Sequence, residues 1–427
     1  DGDRLPGRRG ESSGSDSGPA TSVEQVPVVQ PPSRADELFT ITGDTETWPG
    51  GPKARVHANI KALRLSSEIQ KAGRPATEDE KRELVKYTSF ASAREIFKDR
   101  EPSWSDLRKQ VTAIIGHDAF RDLDQSQLNA MFTGPNMVNA MYGILHAMGF
   151  RGGQILEPAT GIGHFFGAMP AEVRKRSRMT GIELDRNSFG IAKLLYPPID
   201  LRNEGFEHSL LPKDFFDLVI SNVPFGNYPV FDERYGRHIT HSIHNYFIVR
   251  MLDLAKPGGV VAVITSAHTM DNADYAVRKE FHKRGDLLFG LRLNTESLPG
   301  TKVTADVLFF RKRRAGETAG GHAFIETNTV KLRDKKNHQD VDSHINEYFD
   351  KHPELVLGKH VAGNNYSATE GTSVVWSEGD PTLLDALVHV PADVLTKGAQ
   401  PETPADLPLP KGGGLHPAED GLPVGAY

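Results

Sequence analysis

The 427-residue sequence has no cysteine, which excludes disulfides and thiolate metal sites and leads us to expect a cytoplasmic setting. No run approaches the roughly 18 apolar residues of a membrane-spanning helix, so neither a span nor a signal peptide is expected. An excess of positive charge is also missing. Lys+Arg total 50 against 56 Asp+Glu, a net charge of −6, so overall charge cannot clamp a long duplex and any nucleic acid must meet a local basic face. Tryptophan occurs three times, at Trp48, Trp104 and Trp376, too scattered to form a cluster in sequence and best assigned to packing.

At roughly 150 residues per domain, the length predicts two or three segments. Residues 1–52 are rich in Gly, Ser, Pro and Asp and start without methionine, which predicts a disordered stretch and a processed or partial chain. Residues 53–127 carry helical periodicity at Ile60, Leu63 and Ile69, and Thr77 followed three residues later by Glu80 predicts a capping box. We therefore expect a helical subdomain there. Over 128–314 apolar runs at 154–156, 179–182, 216–220, 260–264, 287–293 and 307–310 alternate with helical stretches, the pattern of a doubly wound α/β sheet. No helix separates the last two runs, which predicts an antiparallel pair at the sheet edge. From 315 to 427 periodicity fades, and we expect an extended tail with one short helix at 340–351.

What the sequence does have is concentrated in three motifs. Glu157, Pro158, Ala159, Thr160, Gly161, Ile162, Gly163, His164 and Phe165 form a glycine turn behind a short apolar strand, where α/β sheets hold nucleotide-like ligands. Gly161, Gly163 and Gly167 are spaced G-x-G-x-x-x-G rather than as in dinucleotide sites, and Glu157 stands ahead of them. A carboxylate there suits an ammonium-bearing ligand, which narrows the expectation to S-adenosylmethionine. An unliganded strand-to-helix turn is the plainer alternative. Glu183, in GIELD with Leu184, falls where a strand-end acid can accept both hydroxyls of a ribose. In SNVPF, the Asn222 side-chain oxygen and the Val223 carbonyl offer two acceptors for one amino group. Pro224 stiffens the turn and Phe225 offers a stacking face.

EPATGIGHF, GIELD and SNVPF together resemble the cofactor, ribose and catalytic motifs of adenine-N6 DNA methyltransferases, whose catalytic motif usually reads Asn-Pro-Pro-Tyr or Phe. Val223 departs from that pattern at a place where the family uses the backbone carbonyl. The resemblance implies a class I, Rossmann-like fold, a mostly parallel seven-stranded sheet with an antiparallel edge strand, plus a helical N-terminal extension. It implies S-adenosyl-L-methionine as methyl donor and a flipped DNA adenine as acceptor. The family's opening motif is matched by FTGP at 132–135, in which Thr133 would touch the methionine moiety. Phe206 or Glu207 would read the cofactor's adenine ring. NIKALRLSSEI, the block HNYFIVRMLDLAKPGGVVAVITSAHTMD and LPGTKVTADVLFFRKR are similar to the amino-terminal part of large phage- and plasmid-borne methyltransferase–helicase fusions, DarB-like anti-restriction proteins among them. That likeness, over roughly 39–314, implies a helicase region as a partner, protection of DNA from restriction, and a bacterial cytoplasm.

Two other functions fit the same motifs. A protein-glutamine or RNA methyltransferase offers the same planar NH2 to an Asn-x-Pro-aromatic turn, and a non-catalytic module could bind DNA without turnover. His238, His241 and His244 recur at three-residue intervals without a Cys or carboxylate partner, so no metal is expected. They are expected to line a loop beside the base pocket, with Arg234 and Arg237 near phosphate. KLRDKK and RKRR predict solvated faces, the second with a chance of meeting DNA backbone.

Overall fold

A computed structural model describes residues 38–395, apart from 44–48, 92, 99, 127–132, 227, 299–302, 335–337 and 364–370. The expectations for most of 1–52, for Trp48 and for Phe132 lie outside the described residues. The helix Pro52–Lys71 starts on its proline, where a missing N–H costs nothing, and buries Val56, Asn59, Ile60, Leu63, Ser66 and Ile69 on one stripe. Buried Asn59 accepts from the Thr88 amide at 2.8 Å and donates to the Ser89 carbonyl, holding the loop that buries Tyr87. The next helix, Glu78–Leu84, begins in the expected capping box between Thr77 and Glu80.

These helices do not stand apart from the rest of the molecule. The Ile41 amide donates to Gly167 O at 2.9 Å, Arg174 donates to the Thr40 hydroxyl at 2.8 Å, and Tyr87 and Ile60 belong to the same apolar core as the sheet. The expected subdomain is thus a helical layer laid on the sheet domain.

Seven strands form the sheet: β1 (Gly153–Glu157), β2 (Ser177–Ile182), β3 (Asp200–Arg202), β4 (Phe216–Asn222), β5 (Ala255–Ser266), β6 (Gly285–Arg292) and β7 (Ala305–Lys312). Their order is β3-β2-β1-β4-β5-β7-β6. Pairings from β3 to β5 are parallel, while β7 runs antiparallel to both β5 and β6. This is the class I methyltransferase arrangement. The antiparallel pair does close the sheet edge, with β6 outermost and β7 inserted beside β5. β3 has only one buried residue, Leu201, too few for an apolar run, so the sequence did not reveal it. Central strands are buried on both faces, and the helix Ile243–Leu254 packs on β4 and β5.

Strand order reverses between β1 and β4: from β1 the chain steps outward to β2 and β3, then returns to β4 on the other side. In open α/β sheets a ligand crevice opens at that point, beyond the carboxyl ends of the strands.

The expected tail from 315 is folded through most of its described length. β8 (Thr327–Arg333) and β9 (Asp340–Asn346) form one antiparallel hairpin, β10 (Lys359–Ala362) and β11 (Thr372–Val375) another. Phe324, Ile345, Tyr348, Phe349, Leu355 and Val374 are buried in the common core. The predicted helix over 340–351 is half strand. Val341, Ser343 and Ile345 alternate inward at period two, and Asn346 then caps a short helix, Glu347–Lys351. No helix among the described residues is long and apolar enough to cross a membrane.

Candidate active site

Three residues of the sequence motifs sit at neighbouring strand tips. Glu157 ends β1, Glu183 directly follows β2 and Asn222 ends β4, so the two acids and the amide lie in the order β2-β1-β4 along the crevice. Adjacent strands are spaced about 4.8 Å apart, so the row is the size of one elongated ligand.

The turn after β1 is built from left-handed glycines. Gly161 has φ 56° and Gly163 φ 88°, conformations that side-chain-bearing residues resist. The Thr160 amide donates to Ile182 O at 2.9 Å and its hydroxyl to Glu157 O at 2.9 Å, pinning the turn to β2 and to the strand it leaves. A Cβ on Gly163 would come within 2.5 Å of the Tyr196 ring, so this glycine serves packing as well as turning. Gly163→Ala is therefore expected to lower the unfolding free energy by about 1–3 kcal/mol. A urea midpoint equal to wild type would contradict this. The helix after the turn, His164–Gly167, is one turn long, so the expected positive helix end contributes little and ligand contacts fall to the turn's own amides.

Glu157 is only 1 % exposed, and its Oε2 has no hydrogen-bond partner among the described residues. Burial, reinforced by the neighbouring Glu183 charge, raises its pKa well above the usual carboxylate range. Half-buried Glu183 accepts from the Gly161 amide at 2.6 Å and the Asp185 amide at 2.7 Å. Those bonds favour its charged form, yet burial and the Asp185 charge outweigh them and push its pKa up to about 7. A buried carboxyl with an unpartnered oxygen, Glu157, at the strand tip next to half-buried Glu183 suits a ligand that brings an ammonium and hydroxyl donors. The residues present thus fit S-adenosylmethionine.

The remaining predicted positions are distributed around this row. Buried Thr133 receives a 2.7 Å contact on its carbonyl from His164 Nδ1, which docks the FTGP step onto the glycine turn. Nothing in the spacing had singled out His164. Pro158 is buried, Ala159 half-buried, and Phe165 turns into the core. Leu184 is 66 % exposed beside Glu183. Phe206 is sealed beneath the Arg250 guanidinium, 4.3 Å from its ring centroid, and against Phe247. Glu207, half-buried beside His208, is the more open of the two.

At β4 the Val223 amide donates to Ile264 O at 3.1 Å, so the residue after Asn222 is still held by the ladder and its peptide is fixed. Pro224 and Phe225, which follow, are half-buried. The Gly226 carbonyl beyond them accepts from the Ser242 hydroxyl at 3.2 Å and contacts His244 Nδ1 at 3.0 Å. Burial pushes the His244 pKa down to about 4, so it holds this loop as a neutral ring. His238 and His241 lie apart from it, exposed on the rim.

The basic features expected near phosphate separate. Arg234 is held by Asp232 at 2.7 Å, and three of the four charges at 311–314 are paired: Arg311 with Glu317, Lys312 with Asp214 and Arg313 with Asp286. Arg237, which is exposed, has no ion pair among the described residues, and neither has Arg314 at the end of that run.

With the geometry in view, a family model described as N-6 DNA methylase matches residues 130–370, more than half the chain. The chain belongs to the N-6 DNA methylase family. S-adenosylmethionine is the cofactor that goes with this family and fold. Among related proteins, the defence against restriction protein B of Escherichia phage P1 is 30 % identical over 192 residues, 43 % of this chain and 8 % of that protein. A type II methyltransferase of Thermus thermophilus is 28 % identical over 220 residues, 45 % of this chain and 49 % of its own length. The chain thus spans half or less of these relatives. The methyltransferase subunit of a type I restriction-modification system from Streptococcus thermophilus superposes with a TM-score of 0.38 at 13 % identity, over 60 % of this chain and 66 % of that one. The strand order itself carries the fold assignment.

Proposed function

We propose that this chain transfers a methyl group from S-adenosylmethionine to the N6 amino group of an adenine flipped out of DNA. The observation that carries the reading is the position of Asn222, Val223, Pro224 and Phe225 at the tip of β4, beside the two acids of β1 and β2. Glu157 would take the donor's ammonium and Glu183 its ribose hydroxyls, with Thr133 near the methionine part and Leu184 and Glu207 toward the adenine. When bound, the donor supplies an electrophilic methyl on a sulfonium.

Asn222 and the Val223 carbonyl each accept one hydrogen of the N6 amino group, which turns its lone pair out of conjugation with the ring and toward the donor. The N–C bond forms as the S–C bond breaks, and the amino group afterwards releases one proton to water. Positioning and charge placement carry the step, so no general base is required before it. Phe225 stacks on the flipped base, and the His244–Gly226 contact keeps the loop in register. The likeness to an anti-restriction protein supports a role in protecting DNA from restriction.

Incubation with labelled donor and DNA, RNA or peptide separates this reading from its rivals. Label on adenine of DNA alone is expected, and label on RNA or protein instead would overturn it.

Donor binding should also titrate. Both carboxyls must be ionised to accept these donors, and Glu183 starts near 7, so affinity is expected to fall as pH drops through about 7, up to tenfold per unit for one group. In the ligand-free chain the sign is opposite. The folded state binds more protons than the unfolded one between the normal carboxylate range and about 7, so these groups' contribution to stability declines as pH rises. The ligand-induced rise in Tm should therefore be larger at pH 8 than at pH 6. Equal shifts would remove Glu157 and Glu183 from the donor site.

A further inference from the structure

One step further along the strand tips lies a cavity of about 290 Å³ lined by Arg237, His238, His241, Ser242, Asn245, His268 and Asn272, with Asp274 at its edge. His268 follows β5, the strand next to β4, and Ser242 is the residue that holds the Gly226 carbonyl beyond Phe225. Through Ser242 and the Gly226 carbonyl the cavity adjoins the loop that follows Asn222.

Its chemistry favours an anion. Arg237 is exposed and carries no ion pair among the described residues. Asp274, the one carboxylate in the lining, is engaged in capping the following helix through the Ala276 amide at 2.9 Å. Asn245 also lines the cavity, and its Nδ2 hydrogens are the part of that side chain able to donate to an anion. His241 adds a ring nitrogen at the rim. His238 faces Glu280 at 3.6 Å, which leaves the Arg237 guanidinium, the His241 ring and the Asn245 amide hydrogens as the groups for an incoming ligand, a set that matches a phosphodiester better than an apolar or cationic group.

We propose that this cavity binds one backbone phosphate of the substrate strand beside the flipped base, with Arg237 supplying the charge and Asn245 and His241 the hydrogen bonds. The inference rests on the DNA reading above and adds a phosphate subsite to it.

The experiment uses a duplex that the wild-type chain methylates, in a set in which each linkage flanking the target adenine is replaced singly by an uncharged methylphosphonate. One position is expected to weaken wild-type binding about tenfold, the scale of one charge-assisted hydrogen bond. Arg237→Ala should weaken binding to the unmodified duplex by a similar factor and become insensitive to that same position. Its slope of log K against log salt should be shallower by about 0.9. Donor affinity and kcat at saturating DNA should be unchanged, and His241→Ala should show the same pattern with a smaller loss. If Arg237→Ala kept the wild-type salt slope and the wild-type response to every methylphosphonate, the phosphate subsite would be overturned while adenine methylation stood. If the wild-type chain methylated no DNA at all, both the subsite and the DNA reading would fall together.

Discussion

Asn222→Ala is expected to lose at least about 10²-fold in kcat while binding S-adenosylmethionine like wild type, because a positioned acceptor acting mainly in the transition state is worth about that much. In the proposed site the donor would lie against β1 and β2, whereas Asn222 ends β4. Removing its amide therefore leaves Glu157, the glycine turn and Glu183 in place. Asn222→Asp keeps an acceptor oxygen and should retain more turnover than alanine. Calorimetry with the donor and single-turnover transfer to DNA measure the two halves of this expectation. Alanine and aspartate variants that both turn over like wild type would place the chemistry elsewhere, and loss of donor binding in the alanine variant would mean that the turn is structural.

The second large effect concerns Arg292, whose side chain is completely buried. It binds both oxygens of Asp271 at 2.7 and 3.0 Å and both oxygens of Asp306 at 2.8 and 2.9 Å. It also contacts His360 at 3.2 Å and lies 4.1 Å over the Phe349 ring. Asp271 further accepts from the Asn346 amide and the Thr372 hydroxyl, each at 2.8 Å. One guanidinium thus ties β6, β7, the end of β9 and the second hairpin to the turn just beyond β5. Arg292→Met leaves two buried carboxylates facing each other without a counter-charge, and the expected loss is about 3–5 kcal/mol. A urea midpoint near wild type would contradict this.

The sign with pH is set by Asp306, which burial holds at about 6 even with the arginine present. Without it the carboxyl rises further, so the variant's deficit should be greater at pH 8 than at pH 5, where protonation removes the buried charge. Adding Asp271→Asn and Asp306→Asn should recover part of the loss.

Local chemistry was legible in the sequence wherever a short segment carries its own instruction. The Thr77–Glu80 cap, the left-handed Gly161 and Gly163, and six of the seven sheet strands could be read because each depends on neighbours in the chain. Strand β3 was not, since a strand of three residues with one buried side chain has no period. The helix expected over 340–351 was misread at its start because its alternation of Val341, Ser343 and Ile345 is short and flanked by a true helix.

Sequence alone determined that Glu157, Glu183 and Asn222 each end or follow a strand, because apolar runs and glycine turns are properties of contiguous residues. Only the tertiary structure decided that these tips stand side by side. Strand order and the reversal between β1 and β4 are set by which apolar faces bury one another across long separations. The same holds for Arg292, for His164 against Thr133 and for the Arg237 cavity. A charge or ring finds its partner there only after distant segments are packed, and no periodicity records which partner it will be.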